Sequence, residues 1–176
     1  GPIARKRNRH NISEKFNDDA VIKTIQTDID MLNHYDTLLN DLENYLKRSV
    51  KSHNYNDFYL LKSIPGVGDI LAMVILYEIH DIARFQRVQN FTSYARLVKP
   101  KKESAGKLKG GANGKIGNAY LKWAFSEAVL LLIREQSQVK ELHLKLKNKH
   151  GKPIALAILS HKLARAVYYM LSKKKV

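Results

Sequence analysis

The residues best suited to chemistry lie in one stretch, Leu97 to Asn118, LVKPKKESAGKLKGGANGKIGN. Lys99, Lys101, Lys102, Lys107, Lys109 and Lys115 face a single acid, Glu103, and the stretch holds one serine, Ser104. Small neighbours, Ala105 and Gly106, leave room for a bulky phosphodiester to approach its hydroxyl. Ammonium groups close by would activate that hydroxyl and stabilise the charge developing on a pentavalent phosphorane. By composition alone, a solvated loop serine is the commoner case. Glycines at 106, 110, 111, 114 and 117 predict a long basic loop over 98–118, and loops of such length usually serve function.

Other side chains could contribute. Glu78 lies among Ile75, Leu76, Tyr77 and Ile79; it reads as a catalytic acid or metal ligand, or as a carboxylate capping a helix or pairing with a cation. His161 and Arg165 share a helix face at i, i+4 with Lys162 beside them, placed to approach a phosphate or to form a solvated basic face. There is no cysteine, which excludes disulfides, zinc-thiolate sites and thiol catalysis. The seven histidines form no HExxH pair or comparable spacing, so no protein-only metal site is predicted.

Charge points to the partner. The chain carries a net charge of +15 with a pI of about 9.9, which predicts a polyanion, nucleic acid first. The charge is uneven: residues 1–15 hold five Lys/Arg and one acid, residues 16–95 seven and eleven, residues 96–176 nineteen and four. A backbone-contacting surface is therefore expected in the second half. No apolar run is read as membrane-spanning, and none precedes a signal-cleavage pattern, so no membrane partner and a cytoplasmic location are expected.

The elements that must hold these residues are helical. Residues 1–16 form a basic leader, in which Arg5, Lys6, Arg7 and Arg9 either touch phosphate or stay solvated; Gly1-Pro2 has the form of a scar from a cleaved tag. A helical arm is expected over 17–57. Its helix, 17–51, starts on Asn17, Asp18 or Asp19, and Ile22, Ile25, Ile29 and Leu32, then Tyr35, Leu38, Leu42 and Tyr45, step by three and four. At 1.5 Å per residue it would span about 50 Å, which suits a coiled coil joining two copies or a long helix folded back on its own domain.

A compact helical domain is expected over 58–176. It begins with two short apolar helices separated by Pro65-Gly66-Val67-Gly68 (58–80), which resembles a helix-hairpin-helix. Gly66 and Gly68 would let the backbone turn, and N–H groups of the next helix would hold a phosphate; a purely structural turn is the alternative. Asn90 is expected to cap a short helix to Leu97 and Asn118 a longer one to Ser137, in which Trp123 and Phe125 read as packing residues rather than base-stacking ones. Helices over 138–149 and 154–171 follow, separated by His150-Gly151-Lys152-Pro153, and Lys173-Lys174-Lys175 reads as a frayed, phosphate-seeking end.

Taken together, the runs SIPGVGDILAMVILYEIHDIARF, YARLVKPKKESAGK, GKIGNAYLKWAFSEA and KHGKPIALAILSHKLARAVYYML resemble the C-terminal half of the DEDD-plus-serine insertion-sequence transposases related to pilin-gene invertases. The resemblance covers roughly residues 12–172. It implies an all-α domain whose nucleophile is Ser104, a coiled-coil arm at 17–51 joining protomers, and a phosphoserine link to DNA before strand exchange. It also implies a guide (bridge) RNA, and a homodimer or dimer of dimers. Lys99, Lys101, Lys102, Lys107, Lys109, Lys115 and Arg165 would stabilise phosphates, with Gly66 and Gly68 as a backbone clamp. Relatives often show SG directly where this chain reads ESAGK. The family's RuvC-like domain, which carries four acids and magnesium, has no counterpart in this sequence, so no cofactor is expected here and recombination is expected to need that domain. A nucleic-acid-binding and dimerisation module without chemistry is the competing expectation.

Overall fold

The computed structural model describes residues 3, 5–53, 55–98, 101–104, 107–111 and 116–175, with the backbone alone for 51, 53, 101–104 and 107–111. Among the described residues the architecture is all-α apart from one two-stranded hairpin. The chain divides into two compact units, Gly1–Ser49 and Val50–Val176, and the division falls inside its longest helix.

The first unit contains 3-10 turns at Lys6–Asn8 and Ser13–Lys15 and most of α1 (Asp19–His53). Asp18 caps α1, its Oδ1 accepting from the N–H groups of Ala20 at 2.8 Å and Val21 at 3.1 Å. Arg9, expected to be solvated or on phosphate, is instead turned onto α1. Its guanidinium donates to Asn33 Oδ1 at 2.7 Å and Asp36 Oδ2 at 2.6 Å, and its side chain is only 5% exposed. Buried charge needs such partners, and the acid one helical turn from a second acceptor supplies them. Along α1, Ile22, Ile25, Ile29 and Leu32 are half-buried, whereas Met31, Tyr35, Leu38, Leu42 and Tyr45 are exposed.

In the second unit, α2 (Tyr55–Lys62) and α3 (Asp69–Ile79) precede a 3-10 turn and α4 (Val88–Tyr94). After the hairpin come α5 (Ala119–Glu135), α6 (Ser137–His150) and α7 (Lys152–Lys173). The central helix is α7, which packs against α2, α4, α5 and α6. Fully buried alanines at 124, 128, 155 and 164 let helices approach closely, and Phe91 meets Phe85, Phe125 and Tyr168 with ring centroids 5.3 to 6.0 Å apart. Contrary to the expectation from sequence, α7 is long and apolar enough by composition to cross a membrane; its Ala155, Leu159, Ala164, Val167 and Leu171 are instead buried in this core.

Four local expectations change. Residues 98–118 do not form one irregular loop: β1 (Lys101–Ser104) pairs antiparallel with β2 (Lys107–Gly111), with Lys101 opposite Gly111, Ser104 opposite Lys107 and an irregularity between Lys101 and Glu103. Lysine and glycine are poor strand formers, which hid the hairpin. Asn90 lies inside α4, whose N-cap is Arg87. Two of the three C-terminal lysines are engaged: Lys174 Nζ lies 2.6 Å from both Asp57 carboxylate oxygens, and Lys173 stands over the Tyr169 ring. Trp123 is not packed away, being 47% exposed, whereas Phe125 is fully buried.

Candidate nucleic-acid interface

The basic hairpin is tied at its root. Asn118 N–H donates to Tyr94 O at 2.6 Å, and Arg96 Nε donates to Gly117 O at 2.8 Å, so the strand leaving α4 and the strand entering α5 are clipped together. Only glycine suits position 117: φ is +102°, and a Cβ would stand 2.6 Å from Tyr94 O.

Behind the root lies a polar cluster. Asn118 uses both ends of its amide: Oδ1 accepts from Leu121 N–H at 2.9 Å, capping α5, while Nδ2 donates to Glu78 Oε2 at 2.5 Å and faces Tyr94 Oη at 3.4 Å. Glu78 accepts from the amide that caps α5, so of the roles open to it helix capping at one remove describes its place here. The Arg84 guanidinium stacks 4.6 and 4.7 Å from the Phe85 and Tyr94 ring centroids. The Asn118 amide, then Arg84, favour the phenolate and hold the Tyr94 hydroxyl below the ordinary tyrosine range.

Ser104 ends β1 and Lys107 opens β2, and the two are paired; Ala105 and Gly106 lie outside the described residues. At about 3.3 Å per residue, Ser104 stands roughly 10 Å along the strand from Lys101. Lys101, Lys102, Lys107 and Lys109 belong to the two strands. The side chains of these four and of Ser104 lie outside the described residues, as do Lys99 and Lys115 altogether.

The two glycines of PGVG do different work. Gly66, at φ +83°, is pressed onto α5, where a Cβ would lie 2.6 Å from Leu131 Cβ and 3.0 Å from Leu131 backbone carbon. Gly68 is extended and exposed at the N-cap of α3, with open space where a Cβ would go and no side-chain cap. Asp69 in that first turn pairs with Lys62 at 2.6 Å, and this hydrogen bond holds the Lys62 ammonium above its ordinary range. Arg165 is exposed on α7, and His161 is held below the ordinary histidine range by burial first and by the Arg165 charge second. Among the described residues, no three His, Asp or Glu side chains converge as metal ligands would.

Sequence reasoning passed over Arg84, Tyr94 and Arg96, whose roles depend on partners outside their own helix turns. It read Trp123 as packed, although Trp123 lies on the side of α5 away from the buried Leu121, Phe125 and Ala128.

Residues 59–144 match the family described as Transposase IS116/IS110/IS902 family. The matched stretch runs from α2 into α6 and includes PGVG, the hairpin and its root. The chain is also 27% identical over 144 residues to the transposase for insertion sequence element IS1111A of Coxiella burnetii (strain RSA 493 / Nine Mile phase I), a similarity covering 80% of this chain and 39% of that protein. The chain thus spans about two fifths of the length of this relative. Both similarities are to transposases.

Proposed function

We propose that this chain is the DNA-gripping, serine-bearing part of a transposase that cuts and rejoins DNA through a phosphoserine. The observation that carries the proposal is the lysine-rich hairpin, ending its first strand on Ser104 and lying within the stretch similar to transposases. Ser104 Oγ would form a new bond to a DNA phosphorus while the bond to one deoxyribose oxygen breaks. The serine proton ends on the departing hydroxyl, and the phosphodiester's energy is kept in the protein link for rejoining. The hairpin lysines would offset the charge that builds on phosphorus. Gly68 and the N–H groups opening α3 would hold a second phosphate in the manner of a helix-hairpin-helix, leaving Gly66 to its packing against α5.

Magnesium, which the resemblance implies for a RuvC-like domain, finds no fitting ligand set among the described residues: the Glu78 carboxylate is taken by Asn118, and no cluster of acids surrounds it. No step assigned to this chain runs through that ion. A guide RNA, a RuvC-like partner domain and a cytoplasmic site of action complete the proposal. The open apolar row of α1 favours self-association through this helix. That row also fits the second reading, a binding and dimerisation module without chemistry.

Covalency separates the two. With a protein that also carries the RuvC-like domain, guide RNA and a nicked duplex, Ser104→Ala should abolish protein–DNA adducts while binding stays nearly intact. Adducts that survive the substitution would exclude Ser104. In either reading, binding should weaken steeply with salt, with a logarithmic slope of about −0.9 per phosphate contacted, and each hairpin lysine changed to alanine should reduce the slope by about one.

A further inference from the structure

We infer that the exposed face at the start of α5, built on Tyr120 and Trp123, is a stacking platform for unpaired bases of a DNA strand. The inference rests on the DNA-binding and strand-exchange reading above, whichever group is the nucleophile. Tyr120 is 66% exposed and Trp123 47%, and the residue before the root glycine, Ile116, is 73% exposed. Residues three apart share a helix face, and the rotation of α5 is fixed by Leu121, Phe125 and Ala128, which are wholly buried on its other side. The orientation of the two aromatics toward solvent is therefore set by the core.

Two aromatics exposed on one helix face form a patch rather than a single exposed side chain, and protein, lipid or nucleic acid could each cover it. Charge decides among them. From Arg96 to Ser126 the chain holds Arg96 and seven lysines against one acid, Glu103, and Lys122 lies between the two aromatics. An apolar protein partner gains little from such a field, whereas a phosphate backbone is drawn to it. Bases inside a duplex offer only their edges, so flat contact requires an unpaired strand, the pattern by which single strands are held on cationic grooves lined with aromatic rings. The strand would follow the hairpin and be received by α5, because the clip from Asn118 N–H to Tyr94 O makes the root of one the start of the other. DNA rather than RNA is the assigned occupant because cutting and exchange, as proposed for the adjoining hairpin, must open a duplex there.

Trp123 is the chain's one tryptophan, so its emission reports this site alone. The full chain is titrated with a short single-stranded oligodeoxynucleotide, the same backbone lacking bases, the matching duplex and an RNA of the same sequence. Binding is read by anisotropy and stacking by tryptophan quenching. The single strand should quench strongly; the base-free backbone should bind and leave emission unchanged. Trp123→Ala should weaken single-strand binding by roughly 5- to 150-fold with base-free binding unaltered, and Trp123→Phe should restore most of the loss. Tyr120→Ala should weaken it likewise and reduce quenching. Binding without quenching, or equal losses for strands with and without bases, overturns the platform and leaves the DNA-binding reading standing. An RNA that quenches at lower concentration than DNA overturns the assigned occupant. If neither strand nor duplex binds, the DNA-binding reading falls and the platform with it.

Discussion

Asn118 Nδ2 donates to Glu78 Oε2 at 2.5 Å, joining the start of α5 to the last turn of α3 across 40 residues of sequence. Because the other end of the same amide caps α5, Glu78 fixes which way the cap faces. The hairpin hangs from this point, since Asn118 N–H also clips the outgoing chain at Tyr94. Asn118→Ala removes a cap and strands a carboxylate, so it should cost about 1 to 3 kcal/mol in chemical unfolding. Glu78→Gln keeps an acceptor and should cost less than Glu78→Leu. Equal costs for Gln and Leu would show that the acceptor does not matter.

Gly66 and Gly68 should part company under the same substitution. Gly66→Ala forces a Cβ into the α5 backbone at positive φ, and should destabilise by about 2 kcal/mol or more. Gly68→Ala meets open space in an extended backbone and should leave the melting temperature near wild type. If a phosphate sits over α3, Gly68→Ala should nonetheless weaken DNA binding. Unchanged affinity would assign PGVG to packing alone.

Much of this fold was legible in the sequence, because helices with one apolar face announce themselves by their period. The start of α1 at one of Asn17, Asp18 and Asp19, the cap at Asn118 and the break at Gly151 all follow from local chemistry, and the structure selects Asp18 among the three. What stayed hidden was non-local. Glu78 needs Asn118, Arg9 needs Asp36, and Lys174 needs Asp57, 117 residues away. The hairpin was missed because its lysines and glycines argue against strand, and Trp123 because an apolar helix reads as buried on every side. For the proposed site, sequence supplied the residue types and the backbone supplied a register, Ser104 opposite Lys107.

His161 gives a pH prediction. Burial and then Arg165 lower its pKa in the fold below the unfolded value near 6.5, so the folded state resists protonation. Its contribution to stability is therefore complete above about pH 6.5, and declines as pH falls below that value toward the lower folded pKa. Proton NMR should place the His161 midpoint below those of exposed histidines. Arg165→Ala removes the second cause and should move the midpoint upward, toward but not reaching the ordinary value. A midpoint that does not move would leave burial as the whole cause.

The open face of α1 makes the last prediction. Met31, Tyr35, Leu38, Leu42 and Tyr45 step by four, three, four and three, the spacing of a coiled-coil seam, and all are exposed. Asp36 lies beside this seam and is already engaged by Arg9, so the leader braces the helix without covering the row. A second copy would bury these side chains, each worth about 1.5 to 3 kcal/mol when fully removed from water. Light scattering should find a dimer that weakens on dilution. Leu38→Lys with Leu42→Lys should give a monomer while the helical circular-dichroism signal of the Val50–Val176 unit persists. A wild-type chain that stays monomeric at high concentration would instead leave the seam to another partner. The same double substitution tests that case too, because DNA binding by the hairpin should survive it in full.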